Sequence, residues 1–217
     1  MNADEHPSRA PLLAPSLEMV LAGYAAGSLP RALHALVGAH LEMSSANRAF
    51  VASLEDSLAQ DVAGQSPGTI RARQSRLDAI FACAAAAPRI SGEDPKCLVH
   101  FLGKPVDDLT FRTILPGVRE CRIATGDGTQ ALLFRIRAGR KLPQHAHEGS
   151  EVTLVLRGGF RDETGHYGCG DIAVAGEDLD HTPVADPDEE CVCFAVLDAP
   201  LRLTGPIGRL FNRFIQR

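Results

Sequence analysis

Two histidines and two carboxylates fall within seven residues in the stretch HAHEGSE, His145 to Glu151. In an extended strand, residues i and i+2 point to the same face. His145 and His147 can therefore present two imidazole nitrogens to one point. Glu151 has the same parity, although Gly149 interrupts the run. Imidazole nitrogens and a carboxylate oxygen together suit a divalent ion such as Zn, Fe, Mn, Ni or Co. A fourth ligand has to come from another segment, and His181, which follows DIAVAGEDLD, is the best placed. Glu148 and Asp180 adjoin the ligand positions, but neighbours along a strand point the other way.

The elements that must position these residues are β-rich. QALLFRIRAG alternates at Leu132, Phe134 and Ile136, and EVTLVLRGGF, DIAVAG and CVCFAVLD are further strand-like runs bounded by turn residues. Short strands with no helices between them suggest a sandwich or closed barrel. The first half has a different period. In SLEMVLAGYAAGSL, Leu17, Val20, Leu21 and Tyr24 form one helical stripe, with Ser16 as N-cap and Gly27 as stop. A second helix runs from Pro30, in the first turn, to about Met43; a third carries Phe50, Leu54 and Leu58 on one face; RARQSRLDAIFACAAAA is a fourth or a helical linker. Gly, Pro and Asp cluster in PRISGEDP, so the domain boundary is expected near residues 88–96. The terminal IGRLFNRFIQR returns to helical spacing at Ile207, Leu210, Phe211 and Phe214. The expected fold class is α+β multidomain: a small helical bundle with linker over 1–90, then an all-β sandwich or barrel domain over 91–217 with a C-terminal helix.

Composition narrows the function classes. The 217 residues are 45% hydrophobic, enough for a proper core. A net charge of −5, with no Trp, gives no basic or aromatic footprint for nucleic acid. No run of eighteen apolar residues is present, and the polar, acidic start lacks the basic region of a signal peptide. A soluble cytoplasmic protein is expected, with no membrane partner. None of the six cysteines forms a C-x-x-C pair, so free thiols are the default. Cys191 and Cys193 share a strand face and read as packed core thiols. His34 and His100 read as ordinary histidines, His166 as a hairpin-turn residue, and Arg209, Arg213 and Arg217 as a solvated helix face.

The segment GRKLPQHAHEGSEVTLVLRG resembles the first cupin motif over its full length, with Gly139, His145, His147, Glu151 and Gly158 at the motif positions. The second motif is thinner: Gly170 opens it and His181 fills its metal position, while Gly176, Asp178 and Ala185 depart from the pattern. The resemblance implies a jelly roll holding one divalent metal through His145, His147, Glu151 and His181, with zinc leading and Fe, Mn or Ni as alternatives. The stretch LAGYAAGSLPRALHALVGAHLEMSSANRAF is similar to the helical domain of the zinc anti-sigma factors, most closely the ChrR type, which carries a cupin behind it. The shared pieces are the YAAGSL turn, the helix ending in AHL, an Arg in the third helix, and LTGPIGRLFNRF near the end. In that family a His-x-x-x-Cys-x-x-Cys run binds zinc. Here His40 is kept, but Ser44 and Asn47 stand at the Cys positions, and the further His expected upstream would fall near Pro15. Hydroxyls and amides are poor zinc ligands beside thiolates, so no metal is expected in the helical domain.

What the resemblance implies is a transcription regulator. The helices would bind a sigma factor of the extracytoplasmic-function type, and the cupin would sense an oxidative or chemical signal. The alternative is a metal-dependent cupin enzyme, dioxygenase- or isomerase-like, since such a centre leaves coordination positions open. No catalytic residue is assigned. A homodimer is compatible with the sequence.

Overall fold

The computed structural model describes residues 16–64, 72–82 and 94–204. The chain divides into two compact units, Leu21–Thr110, and Phe111–Arg217 together with Met1–Val20. Among the described residues no helix is long and apolar enough to cross a membrane. The expected C-terminal helix, Cys83 and the Ala-rich end of the fourth helix lie outside the described residues.

The helices are α1 (Leu17–Ala25), α2 (Arg31–Met43), α3 (Arg48–Ala63), α4 (Arg73–Ala82) and α5 (Lys96–Leu102). Ser16 caps α1, its Oγ accepting from the Met19 amide at 3.4 Å, and Gly27 ends the segment at φ +65°. Pro30 lies one residue earlier than expected, as the N-cap of α2 rather than in its first turn. Helix α2 is the hub: Ala32, Ala35, Leu36, Val37, Ala39 and His40 are all buried. Its C-terminal carbonyls have no partner within the helix. Arg48 meets them, Nε donating to the Leu41 carbonyl at 2.7 Å and Nη2 to that of Glu42 at 3.1 Å.

Helix α5 packs on α2, so the helical unit runs to Thr110, past the boundary expected at 88–96. Two contacts explain this. The Glu42 carboxylate accepts from the Lys96 and Cys97 amides at 2.6 and 2.9 Å, satisfying the free donors at the start of α5. Gly38 lets the helices approach closely, because a Cβ there would stand 2.9 Å from Cys97 Sγ. Burial first, then the neighbouring Glu42, pushes the Cys97 thiol up to about 11, so it stays protonated and unreactive.

Among the described residues the β unit contains eleven strands in three antiparallel sheets. One sheet has six strands in the order β1 (Arg112–Leu115), β2 (Val118–Ile123), β3 (Gln130–Ile136), β10 (Cys191–Leu197), β5 (Glu151–Arg157) and β8 (Ile172–Ala175). A second joins β7 (His166–Gly168), β6 (Gly159–Arg161) and β9 (Val184–Ala185), and a third pairs β11 (Leu201–Leu203) with β4 (His145–His147). Among the described residues no sheet closes on itself; the arrangement is a jelly roll. Val118, Ile136, Val155, Cys191 and Cys193 of the large sheet meet Phe160 and Ala185 of the three-stranded one in a single apolar cluster. Cys191 and Cys193 are thus core thiols, as their spacing suggests. Gly158 makes the sharp step from β5 to β6 at φ +66°, where a Cβ would lie 2.7 Å from the Glu190 carbonyl.

Gly38→Val is expected to destabilise the helical unit by roughly 1–3 kcal/mol through overpacking against Cys97. Denaturant melts followed by circular dichroism measure it. Adding Cys97→Ala should recover part of the loss, and full additivity of the two changes would contradict the contact.

Candidate metal centre

Three of the four expected ligands converge. Strand β4 puts His145 and His147 on one face, with Ala146 turned away. An isolated antiparallel bridge then ties His145 to His181: each backbone N–H donates to the other's carbonyl, at 3.1 and 3.0 Å. Such a pair aims both side chains to the same side. His181 Nε2 stands 3.0 Å from His145 Nε2 and 3.2 Å from His147 Nε2. All three rings are buried.

The outer nitrogens fix the tautomers of two of these rings. His145 Nδ1 donates to the Pro143 carbonyl at 2.9 Å, and His181 Nδ1 donates to Asp162 Oδ2 at 2.8 Å. In its neutral form each ring therefore turns a lone pair inward at Nε2. Two lone pairs 3.0 Å apart repel unless a cation lies between them. The third ring is consistent with this: His147 Nδ1 is buried without a hydrogen bond, 3.4 Å from Glu151 Oε2. These features fit a divalent ion held by three imidazoles.

Burial is the main reason that the His145 and His147 pKa values lie below the ordinary imidazole range, the latter at about 4, even though Glu151 pulls the other way. Both rings are neutral near pH 7, the form that binds metal. Asp162 is itself well held. Burial pushes its carboxyl up, but hydrogen bonds from Thr164 and His181 outweigh that and leave it below the usual range.

Glu151 does not join the three Nε2 atoms. The chain turns at Glu148–Ser150, so β4 and β5 are separate strands and the simple parity argument fails there. Asp198 closes that turn, Oδ1 accepting from the Ser150 amide at 2.6 Å. Glu151 still faces the same cavity, yet its Oε1 accepts from Thr153 Oγ1 at 2.7 Å and its Oε2 lies against the outer nitrogen of His147. Glu148 is exposed, and Asp180 braces the loops instead, bonded to Gln144 and Thr204.

Asp162 is the functional residue that sequence reasoning missed. It sits in the β6–β7 turn, where Oδ1 accepts from the Thr164 amide and hydroxyl and from the Gly165 amide. That pattern is ordinary for a turn Asp. Nothing in RDETGH signals that the other oxygen reaches His181, nineteen residues away. In the helical unit, His40 Nε2 lies 3.0 Å from Asn47 Nδ2, so the amide at one expected Cys position donates to the retained histidine.

A helical unit followed by a jelly roll with a buried three-His cluster defines a two-part cupin protein. The family model of the ChrR Cupin-like domain matches residues 102–199. The chain is 36% identical over 204 residues to the anti-sigma-E factor ChrR of Cereibacter sphaeroides, covering 92% of this chain and 96% of that protein. It also matches a chain of the crystal structure of Rhodobacter sphaeroides SigE in complex with the anti-sigma ChrR. There the TM-score is 0.68 and the identity 32%, covering 86% of this chain and 99% of that one. The chain belongs to the ChrR family of anti-sigma factors.

Asp162→Asn is expected to weaken metal binding by about 10–100-fold, measured by competition with a chromophoric chelator. His181→Ala should abolish stoichiometric binding. In metal-free protein the two depressed imidazoles make stability depend on pH. The unfolded chain takes up protons near pH 6.5 while folded His147 resists until about 4. Stability is therefore complete above about pH 6.5 and falls by roughly 3 kcal/mol toward pH 4. Thermal melts against pH should show this slope, and His147→Gln should flatten it.

Proposed function

We propose that this protein is an anti-sigma factor whose helical unit binds a sigma factor of the extracytoplasmic-function type. In this reading the cupin unit holds zinc at His145, His147 and His181, with Glu151 beside them, and passes an oxidative or chemical signal to the helices in the cytoplasm. The observation that carries the reading is the extent of the relationship. It covers 92% of the chain, so it takes in the helical unit and not the cupin alone.

The helical unit has a surface suited to such a partner. The stripe Phe50, Leu54 and Leu58 is not the buried face of α3. Val51 is the buried residue of α3, while Phe50 and Leu58 are each 40% exposed and Val62, one turn on, is 68% exposed. Helix α3 is anchored to the end of α2 by Arg48 and Asn47 instead, which leaves its apolar row available. An apolar row on a helix is the usual means of docking into a partner's groove.

Signalling requires that the cupin change the relative energies of sigma-bound and released states. Bound zinc would act as a Lewis-acidic, redox-inert centre. The chain's own contribution is to hold three neutral imidazoles in register, through the backbone bridge and through acceptors at Pro143 and Asp162. Any signal that displaces one ring breaks that register.

A second reading, a metal-dependent enzyme, has one observation behind it: the cavity reaches His145 and His181. Metal analysis separates the two, since iron with oxygen uptake favours the enzyme and stoichiometric zinc the regulator.

Co-expression with the sigma factor encoded beside this chain should give a stable 1:1 complex on gel filtration, and no complex would sink the proposal. Phe50→Asp with Leu58→Asp should weaken that complex at least tenfold, about 1.4 kcal/mol or more, with the melting temperature kept.

A further inference from the structure

The β unit carries an open-sided cavity of about 1200 Å³ that is far larger than a metal ion needs. Its floor is the inner face of the six-stranded sheet, and the registers lay that floor out in rows. Glu120 stands opposite Phe134, which stands opposite Cys193, which stands opposite Val155; the adjacent row runs Arg122, Leu132, Ala195, Thr153, Ala173. The middle of the floor is therefore apolar, with polar groups at its two edges. From β2 to β5 there are three strand spacings of about 4.8 Å, or about 14 Å in all.

The two edges differ in charge. Glu151 and Asp162 line the cavity together with His145 and His181. At the β2 edge, the buried Glu120 carboxylate gathers two guanidinium groups on one oxygen. Arg122 Nε donates to Oε1 at 2.7 Å, and Arg112 Nη2 and Nε donate to it at 2.8 and 3.3 Å. Two cations against one carboxylate leave a net positive charge at this edge. Among the described residues the two terminal amino groups of Arg122 have no partner, and the side chain is 42% exposed. A planar fork of this kind matches a carboxylate in bidentate fashion. Since Glu120 meets Nε alone, it holds the guanidinium in place and leaves the fork presented.

We propose that the cavity binds an elongated organic monocarboxylate, its carboxylate on the Arg122 fork and its apolar body along the Leu132–Phe134 floor toward the histidines. An apolar chamber with a few placed polar groups is the ordinary form of a small-molecule site. The free guanidinium fork at one edge, facing an edge where two carboxylates offset a bound divalent ion, sets the direction in which an anion lies. The site is independent of any sigma factor and of the identity of the metal, so its failure would leave the anti-sigma reading untouched.

Titration calorimetry on the full chain tests it with octanoate, 1-octanol and acetate. Octanoate is expected to bind at least tenfold more tightly than either of the others. Equal binding of octanoate and octanol, or no octanoate binding, overturns the proposal. Arg122→Gln combined with Glu120→Gln, which avoids stranding a buried carboxylate, should cost octanoate at least tenfold and leave octanol unchanged. Ala173→Phe fills the floor next to Thr153 and should also cost at least tenfold while the circular dichroism spectrum is kept. Unchanged octanoate binding in either variant overturns the assignment. Protein stripped of metal by a chelator should bind octanoate as before. Loss on stripping would place the carboxylate on the metal, and would overturn the role of Arg122.

Discussion

The antiparallel bridge between His145 and His181 is the constraint on which the cupin unit's chemistry depends. It joins two segments thirty-six residues apart by two backbone hydrogen bonds, of 3.1 and 3.0 Å. With that pairing made, both imidazoles leave the backbone on one side, and β4 adds His147 on the same face. The outer nitrogens are then held by Pro143 and Asp162, so rotation of the rings is restricted and the inner lone pairs meet. Backbone geometry brings the rings together; the outer hydrogen bonds decide which nitrogen faces inward.

The same economy appears in the helical unit, with other chemistry. A zinc ion in that position would tie the end of α2 to the start of α3. This chain ties them with hydrogen bonds: Asn47 to the buried His40 ring, and the Arg48 guanidinium to two terminal carbonyls of α2. Glu42, on the same turn of α2, caps α5. Three short-range polar anchors at one helix end hold three helices, which frees the apolar row of α3 from a packing role.

The fold and much of the site were legible in the sequence for identifiable reasons. The period-two run in β3, the short β-rich runs of β5 and β10 and the period-3.6 runs in α1 and α2 follow from side-chain geometry within a single element. H-x-H is likewise local, since two residues on one strand share a face whatever the rest of the chain does. Glu151 was less legible. Its parity with His147 holds only if the strand is continuous, and Gly149 packs so closely on Asp198 that the chain turns there. The exposure of Phe50 and Leu58 was illegible for a related reason. A stripe shows that a helix has an apolar face, not what covers it.

By itself, then, the sequence determined the order of helices and strands, the three histidines that meet and the family to which the chain belongs. Each of these is carried by local spacing or by residue identity. Tertiary structure alone decided that Asp162 orients His181, that Glu151 turns to Thr153 and the outer nitrogen of His147, and that Arg122 presents its fork beside a wide apolar cavity. Those outcomes depend on contacts between segments far apart in the chain. Their distances are set by sheet register and loop closure, which no short stretch of sequence contains.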